Sequence, residues 1–107
     1  MDTPTEYQLV QEKIREYIRR LGEKHIPLWR LYLFGSHAKG TAGRDSDIDL
    51  AIFLDQDDIE GFSETVALMR LCWDIDLRIE PHVFARTDFN VYDPFISEIV
   101  RTGERLI

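Results

Sequence analysis

With 107 residues the chain is long enough for one hydrophobic core and too short for two, so it reads as a single domain over residues 1–107. Hydrophobic residues make up 44% and charged residues 31%, and no apolar run approaches the roughly 20 residues of a membrane-spanning helix, which excludes that class and leaves a soluble globular domain. The net charge of -7 is opposite in sign to a surface that grips duplex nucleic acid, so any phosphate handled here needs a cation or a local basic spot to reverse the sign.

The segment from Met1 to Glu6 has no basic region followed by an apolar one, and no secretory signal is expected. The single cysteine, Cys72, excludes an internal disulfide and a thiolate zinc cluster, which fits a reducing cytoplasm. Between Leu71 and Trp73 in a helical pattern, it reads as a small core residue.

Thr3 as N-cap, Pro4 at the first helical position and Glu6 completing a capping box announce a first helix. Leu9/Val10, Ile14, Tyr17/Ile18 and Leu21 then recur at helical spacing, with charges on the other face, and Gly22 marks the end. After Pro27, residues 28–34 have the aromatic and β-favouring composition of a buried strand that Gly35-Ser36 ends abruptly. Residues 36–40 suit a short helical turn, and 41–46 a polar loop. Residues 48–54 form a second strand, apolar on both faces as in the middle of a covered sheet.

The acidic run 55–58 is placed in the first turn of the next helix, where the macrodipole favours it. Ile59, Phe62, Val66, Met69/Arg70 and Trp73 carry its period. Residues 76–84 read as a third strand, with Pro81 pushing it toward a sheet edge or a bulge. A last helix over 94–101 presents Phe95, Ile99 and Val100 and ends at Gly103. The fold class is α/β (α+β): a small mixed sheet flanked by helices. Val91, Tyr92, Phe95 and Ile96 are apolar enough for an interface, in a partner or an oligomer, although packing on the sheet accounts for them as well.

The chemistry concentrates in "LYLFGSHAKGTAGRDSDIDLAIFL". Strand alternation puts Asp47 and Asp49 on one side of the sheet, about 6.6 Å apart along the strand. Two carboxylates that close repel unless a cation sits between them, and magnesium, with its preference for carboxylate, water and phosphate oxygens, suits the pair. Gly35 lets the backbone pass close to a ligand, the N–H groups from Ser36 onward suit a phosphate, and Lys39 and Arg44 are the nearest cations. His37 reads as an ordinary loop residue, His82 beside Pro81 as structural, and His25 carries no site signal.

Gly35-Ser36, ten residues, then Asp47-x-Asp49 resembles the G-S-x10-D-x-D signature of the nucleotidyltransferase superfamily that includes DNA polymerase beta, and the chain looks like the minimal nucleotidyltransferases of bacteria and archaea. The motif resemblance covers residues 28–84, and "DPFISEIVRTGERLI" is similar to the closing helix of such domains. It implies a third carboxylate on a neighbouring strand. Asp76 and Glu80 both qualify, on one strand face about 13 Å apart. Asp76 is favoured because Ile-Asp-Leu-Arg followed by Pro is similar to the corresponding polymerase segment.

The resemblance further implies Mg2+ held by Asp47, Asp49 and Asp76, and a triphosphate gripped at Gly35, Ser36, Lys39 and Arg44. Nucleoside monophosphate, AMP from ATP, would pass to a hydroxyl acceptor by in-line attack, with the third acid available as general base. Such domains are often antitoxins paired with a HEPN toxin, one of whose tyrosines is the acceptor. The alternative is an antitoxin that neutralises a HEPN protein by contact alone. Transfer to an aminoglycoside-like small molecule lacks its substrate domain, and templated polymerisation sits poorly with the acidic surface.

Overall fold

A computed structural model describes residues 3–107; Met1 and Asp2, the start of the segment without a secretory pattern, lie outside the described residues. The elements run α1 (Glu6–Glu23), β1 (Leu28–Phe34), α2 (Ser36–Lys39), β2 (Ile48–Leu54), α3 (Phe62–Arg70), β3 (Ile79–Ala85), a 3-10 turn (Arg86–Asp88), α4 (Pro94–Thr102) and β4 (Glu104–Arg105). The four strands form one mixed sheet in the order β3-β2-β1-β4. β1 is antiparallel to both β2 and β4, and β2 is parallel to β3. No described helix is long and apolar enough to cross a membrane.

Strand alternation divides the core into two layers. Ile48, Leu50, Ile52 and Leu54 of β2, with Leu31 and Leu33 of β1, pack against Val10, Ile14, Tyr17 and Leu21 of α1 and Leu68 of α3. Ala51 and Phe53, on the opposite side of β2, meet Tyr32, Ile96 and Ile99, so α4 covers that face. A bulge between Leu28 and Arg30 puts Trp29 on the α4 side as well. There Phe89 meets Trp29 edge-on at 5.4 Å and Phe53 at 5.2 Å. Cys72 is buried, its Sγ donates to the Met69 carbonyl, and burial pushes the thiol up to about 11, the inert core role expected of it.

β1 and β2 occupy the residues read from the sequence, and β3 is an edge strand as Pro81 requires. Four boundaries differ, each for a local reason. Thr5 rather than Thr3 caps α1: its hydroxyl accepts from the Gln8 N–H at 3.1 Å, and the Gln8 side chain accepts from the Thr5 N–H at 2.9 Å. Both Thr3-x-x-Glu6 and Thr5-x-x-Gln8 fit a capping box, and the one nearer Val10, the first buried residue of the stripe, prevails. At the other end Gly22 stays inside the helix, and His25 takes the left-handed conformation at φ 56°.

The Ile26 N–H reaches the Leu21 carbonyl and the His25 N–H the Gly22 carbonyl, both at 3.0 Å, a Schellman motif with histidine where glycine is usual. His25→Gly is therefore expected to stabilise the protein by about 1 kcal/mol, read as a higher denaturation midpoint at unchanged m-value.

The acidic run 55–58 does not open α3. Asp55 and Asp57 instead pair with Arg86, and the Thr87 hydroxyl donates to the Asp57 carbonyl. α3 begins at Phe62, with the Glu64 carboxylate accepting from the Glu60 N–H at 2.8 Å; Phe62 and Trp73 face solvent while Leu68 is buried. β3 begins at Ile79 because Asp76 closes a turn, its Oδ1 accepting from the Arg78 N–H at 2.9 Å. In the C-terminal segment Ile96 is core, whereas Val91, Tyr92 and Phe95 are exposed.

Candidate active site

β2 carries Asp49, and the chain entering it carries Asp47, to the face covered by α4, because both alternate with Ile48 and Leu50, which point into the α1/α3 layer. Parallel pairing sets Asp49 opposite Glu80 and Ala51 opposite His82, so both β3 side chains arrive on the same face. The Glu80 carboxyl is raised above its ordinary value, by burial first and then by a hydrogen bond to Asp47, with the charges of Asp47 and Asp49 adding to it and His82 opposing it. His82 Nε2 lies 3.2 Å from Asp49 Oδ1 and 3.9 Å from Glu80 Oε1. Potential ligand atoms of Asp49, Glu80 and His82 all fall within 4.8 Å of one another.

Asp76, expected as the third acid, is elsewhere. Its carboxylate is spent on Arg78, at 2.8 Å to Nη2 and 3.1 Å to Nε, and that guanidinium holds it below the usual carboxylate range. Strand alternation would have kept Asp76 on one face with Glu80; the turn that starts β3 three residues later removes that relation. Arg78 also donates to Glu6 and to the Arg44 carbonyl, both at 2.9 Å. It thus ties α1 and the 41–46 loop to the start of β3, just before the chain enters the strand that carries Asp47 and Asp49.

Gly35 ends β1 at φ 76° and ψ -152°, a conformation open essentially only to glycine. A Cβ there would stand 2.5 Å from Asp49 Oδ2, so the missing side chain is the space the carboxylate occupies. Ser36 opens α2 and is half-buried; its carbonyl accepts from the Thr41 N–H at 3.0 Å, and its hydroxyl has no hydrogen-bond partner among the described residues. Lys39 Nζ lies 3.5 Å from Glu98 of α4, and Arg44 is exposed with its carbonyl on Arg78. Neither pairs with Asp47, Asp49 or Glu80 among the described residues. His37 Nε2 lies 3.3 Å from the Ser46 carbonyl, a loop tie as expected.

His82, read as structural, is in fact part of the cluster. The signal was available: it stands two residues from Glu80, and whatever face Glu80 takes, His82 shares. Its ring meets Phe34 at 5.0 Å, which fixes its position above the acids. An open groove of about 540 Å³ runs past Asp47, Arg78, Glu80 and His82 to Thr65 and Met69 of α3, giving solvent access to the acids.

The donor set fits a hard divalent cation. Asp49 and Glu80 from adjacent strands meet Asp47 just ahead of β2, glycine clears room for Asp49, and a proton or a cation relieves their mutual repulsion.

The profile of a family described as "Nucleotidyltransferase domain" matches residues 12–103. No curated protein sequence matches significantly. Among solved structures, a mutant of the toxin–antitoxin MntA-HpeT aligns with TM-score 0.62 at 20% identity, over 87% of this chain and 71% of the other. A toxin–antitoxin with AMP-PNP aligns with TM-score 0.63 at 24% identity, over 90% and 71%. A provisionally named nucleotidyltransferase from Sulfolobus solfataricus aligns with TM-score 0.54 at 16% identity, over 99% and 89%. These likenesses establish a shared fold.

Proposed function

Because the chain belongs to the nucleotidyltransferase domain family, we propose that it transfers AMP from ATP to a hydroxyl acceptor, with Asp47, Asp49 and Glu80 as its acidic platform. The observation that carries this reading is the meeting of those three carboxylates on one sheet face beside the Gly35 turn. Mg2+ held there supplies charge neutralisation on the triphosphate when bound.

The chain's own residues do the rest. Gly35 and Ser36 approach the β/γ-phosphates by backbone and hydroxyl, with Lys39 and Arg44 as flanking cations. Glu80, whose carboxyl is raised by burial and then by its acidic neighbours, takes the acceptor hydroxyl's proton on a carboxylate oxygen. The acceptor oxygen forms a bond to the α-phosphorus as the α–β anhydride bond breaks and pyrophosphate leaves. The groove along β3 gives the acceptor its approach.

The setting we propose is an antitoxin whose acceptor is a tyrosine of a HEPN-domain toxin. Its support is the fold shared with the toxin–antitoxin structures, one of them with AMP-PNP. A second reading, neutralisation by contact alone, draws on the exposed Val91 and Tyr92 beside α4. Incubation with α-labelled ATP, Mg2+ and a HEPN partner separates the two. Label should appear on the partner's tyrosine and vanish with Asp47→Asn/Asp49→Asn. If that double variant neutralises the partner as well as the wild type, contact suffices and transfer is not the route.

A further inference from the structure

We infer that His82 is a nitrogen donor to the divalent ion shared by Asp49 and Glu80, so that the site favours Mn2+ over Mg2+. The inference rests on the proposed metal platform and adds a ligand that a three-carboxylate reading lacks.

The geometry carries it. Donor atoms about 2.1 Å from one ion lie about 3.0 Å apart when adjacent in its shell and about 4.2 Å when opposite. His82 Nε2 stands 3.2 Å from Asp49 Oδ1 and 3.9 Å from Glu80 Oε1, both inside that span. The three side chains come from adjacent strands whose register is fixed by consecutive pairings from Ile48↔Ile79 to Leu54↔Ala85, so the spacing does not depend on a loop. The imidazole is also held from behind: its ring packs edge-on against Phe34, whose own ring meets Phe95 at 5.8 Å.

The chemical consequence follows from donor type. All-oxygen sets suit Mg2+, whereas an imidazole nitrogen shifts preference toward first-row transition ions. Near Asp49 and Glu80 the nitrogen would complete a mixed set from three protein ligands, leaving the remaining positions to water or phosphate oxygen. Asp47, exposed just ahead of β2 and placed to accept from the Glu80 carboxyl on the same face, stays available for a second ion.

The test uses the full chain without nucleotide, with Mn2+ alone as probe. Electron spin echo measurements on the wild type should show nitrogen modulation from a directly bound imidazole, lost in His82→Gln. Glutamine can still donate to Asp49, so a merely positioning histidine would leave the affinity nearly intact. Displacement of Mn2+ by Mg2+ should show that His82→Gln lowers the Mn2+/Mg2+ affinity ratio by about tenfold or more, with circular dichroism confirming an unchanged fold. Bound Mn2+ without nitrogen modulation overturns the inference, as does a ratio unchanged in the variant or no Mn2+ binding at all. Those results leave Mg2+-dependent AMP transfer standing, because that reading is tested separately, by label transfer to the partner and its loss in Asp47→Asn/Asp49→Asn.

Discussion

Glu80→Gln is expected to lower nucleotidyl transfer by on the order of 10^2–10^3-fold, while Asp76→Asn leaves the chemistry nearly intact and costs stability instead. The two residues were interchangeable on strand alternation alone. The structure separates them by what each carboxylate touches: Glu80 faces Asp47 and lies opposite Asp49, whereas Asp76 is closed on Arg78. Stability should move in opposite senses with pH. The Asp76 carboxyl sits below its ordinary value of 3.8, so its contribution is present at neutral pH and lost as pH falls through the acid range; Asp76→Asn should remove it and flatten that limb. The Glu80 carboxyl sits above its ordinary value of 4.5, so in the metal-free protein stability drops as pH rises past that value. Glu80→Gln should therefore be more stable than the wild type in EDTA at neutral pH while almost inactive with Mg2+. Denaturant titrations with and without Mg2+, beside initial rates, check both halves. An inactive Asp76→Asn with unchanged stability would reverse the assignment.

How far the sequence reaches here depends on the range of the force that decides each feature. The strands 28–34 and 48–54 were legible because apolar runs bounded by Gly35 and by Asp47 are local signals, and the edge position of β3 because Pro81 lacks the N–H an inner strand would need. The shared face of Asp47 and Asp49 in the candidate site was legible for the same reason: the pair spans the start of one strand, where alternation alone sets the face. The proposed third acid depends on which residue of a distant strand lies opposite Asp49, and that register goes with the turn at Asp76 and with Arg78 reaching Glu6, seventy-two residues away in sequence. The acidic run 55–58 was misplaced for a like reason, since its partner Arg86 lies beyond α3 and β3. Trp73 was assigned inward by helical period, yet α3 ends at Arg70 and the tryptophan is half-exposed.

Gly35→Ala should nearly abolish transfer without unfolding the protein, and Gly40→Ala supplies the control that makes the reason plain. Both glycines flank α2 at positive φ, 76° and 74°; alanine costs about 1–2 kcal/mol of backbone strain in the left-handed region of Gly40, and more at the ψ of -152° that Gly35 adopts. Only at Gly35 does the new methyl meet something. Its Cβ would fall 2.5 Å from Asp49 Oδ2, 3.4 Å from Cγ and 3.6 Å from Cβ, whereas nothing stands within 4 Å of a Cβ at Gly40. The carboxylate is the side that yields, since β1 and β2 are locked together by the pairing of Phe34 with Asp49. Turning Asp49 away also breaks its 3.2 Å approach to His82 Nε2. A displacement of about 1 Å at a reacting group costs on the order of 10^2-fold. Both variants should therefore melt a few degrees lower by circular dichroism, while only Gly35→Ala loses transfer. It should also lose Mn2+ affinity in the metal titration. Equal activity in the two variants would mean that Asp49 does not have to stay where Gly35 lets it lie.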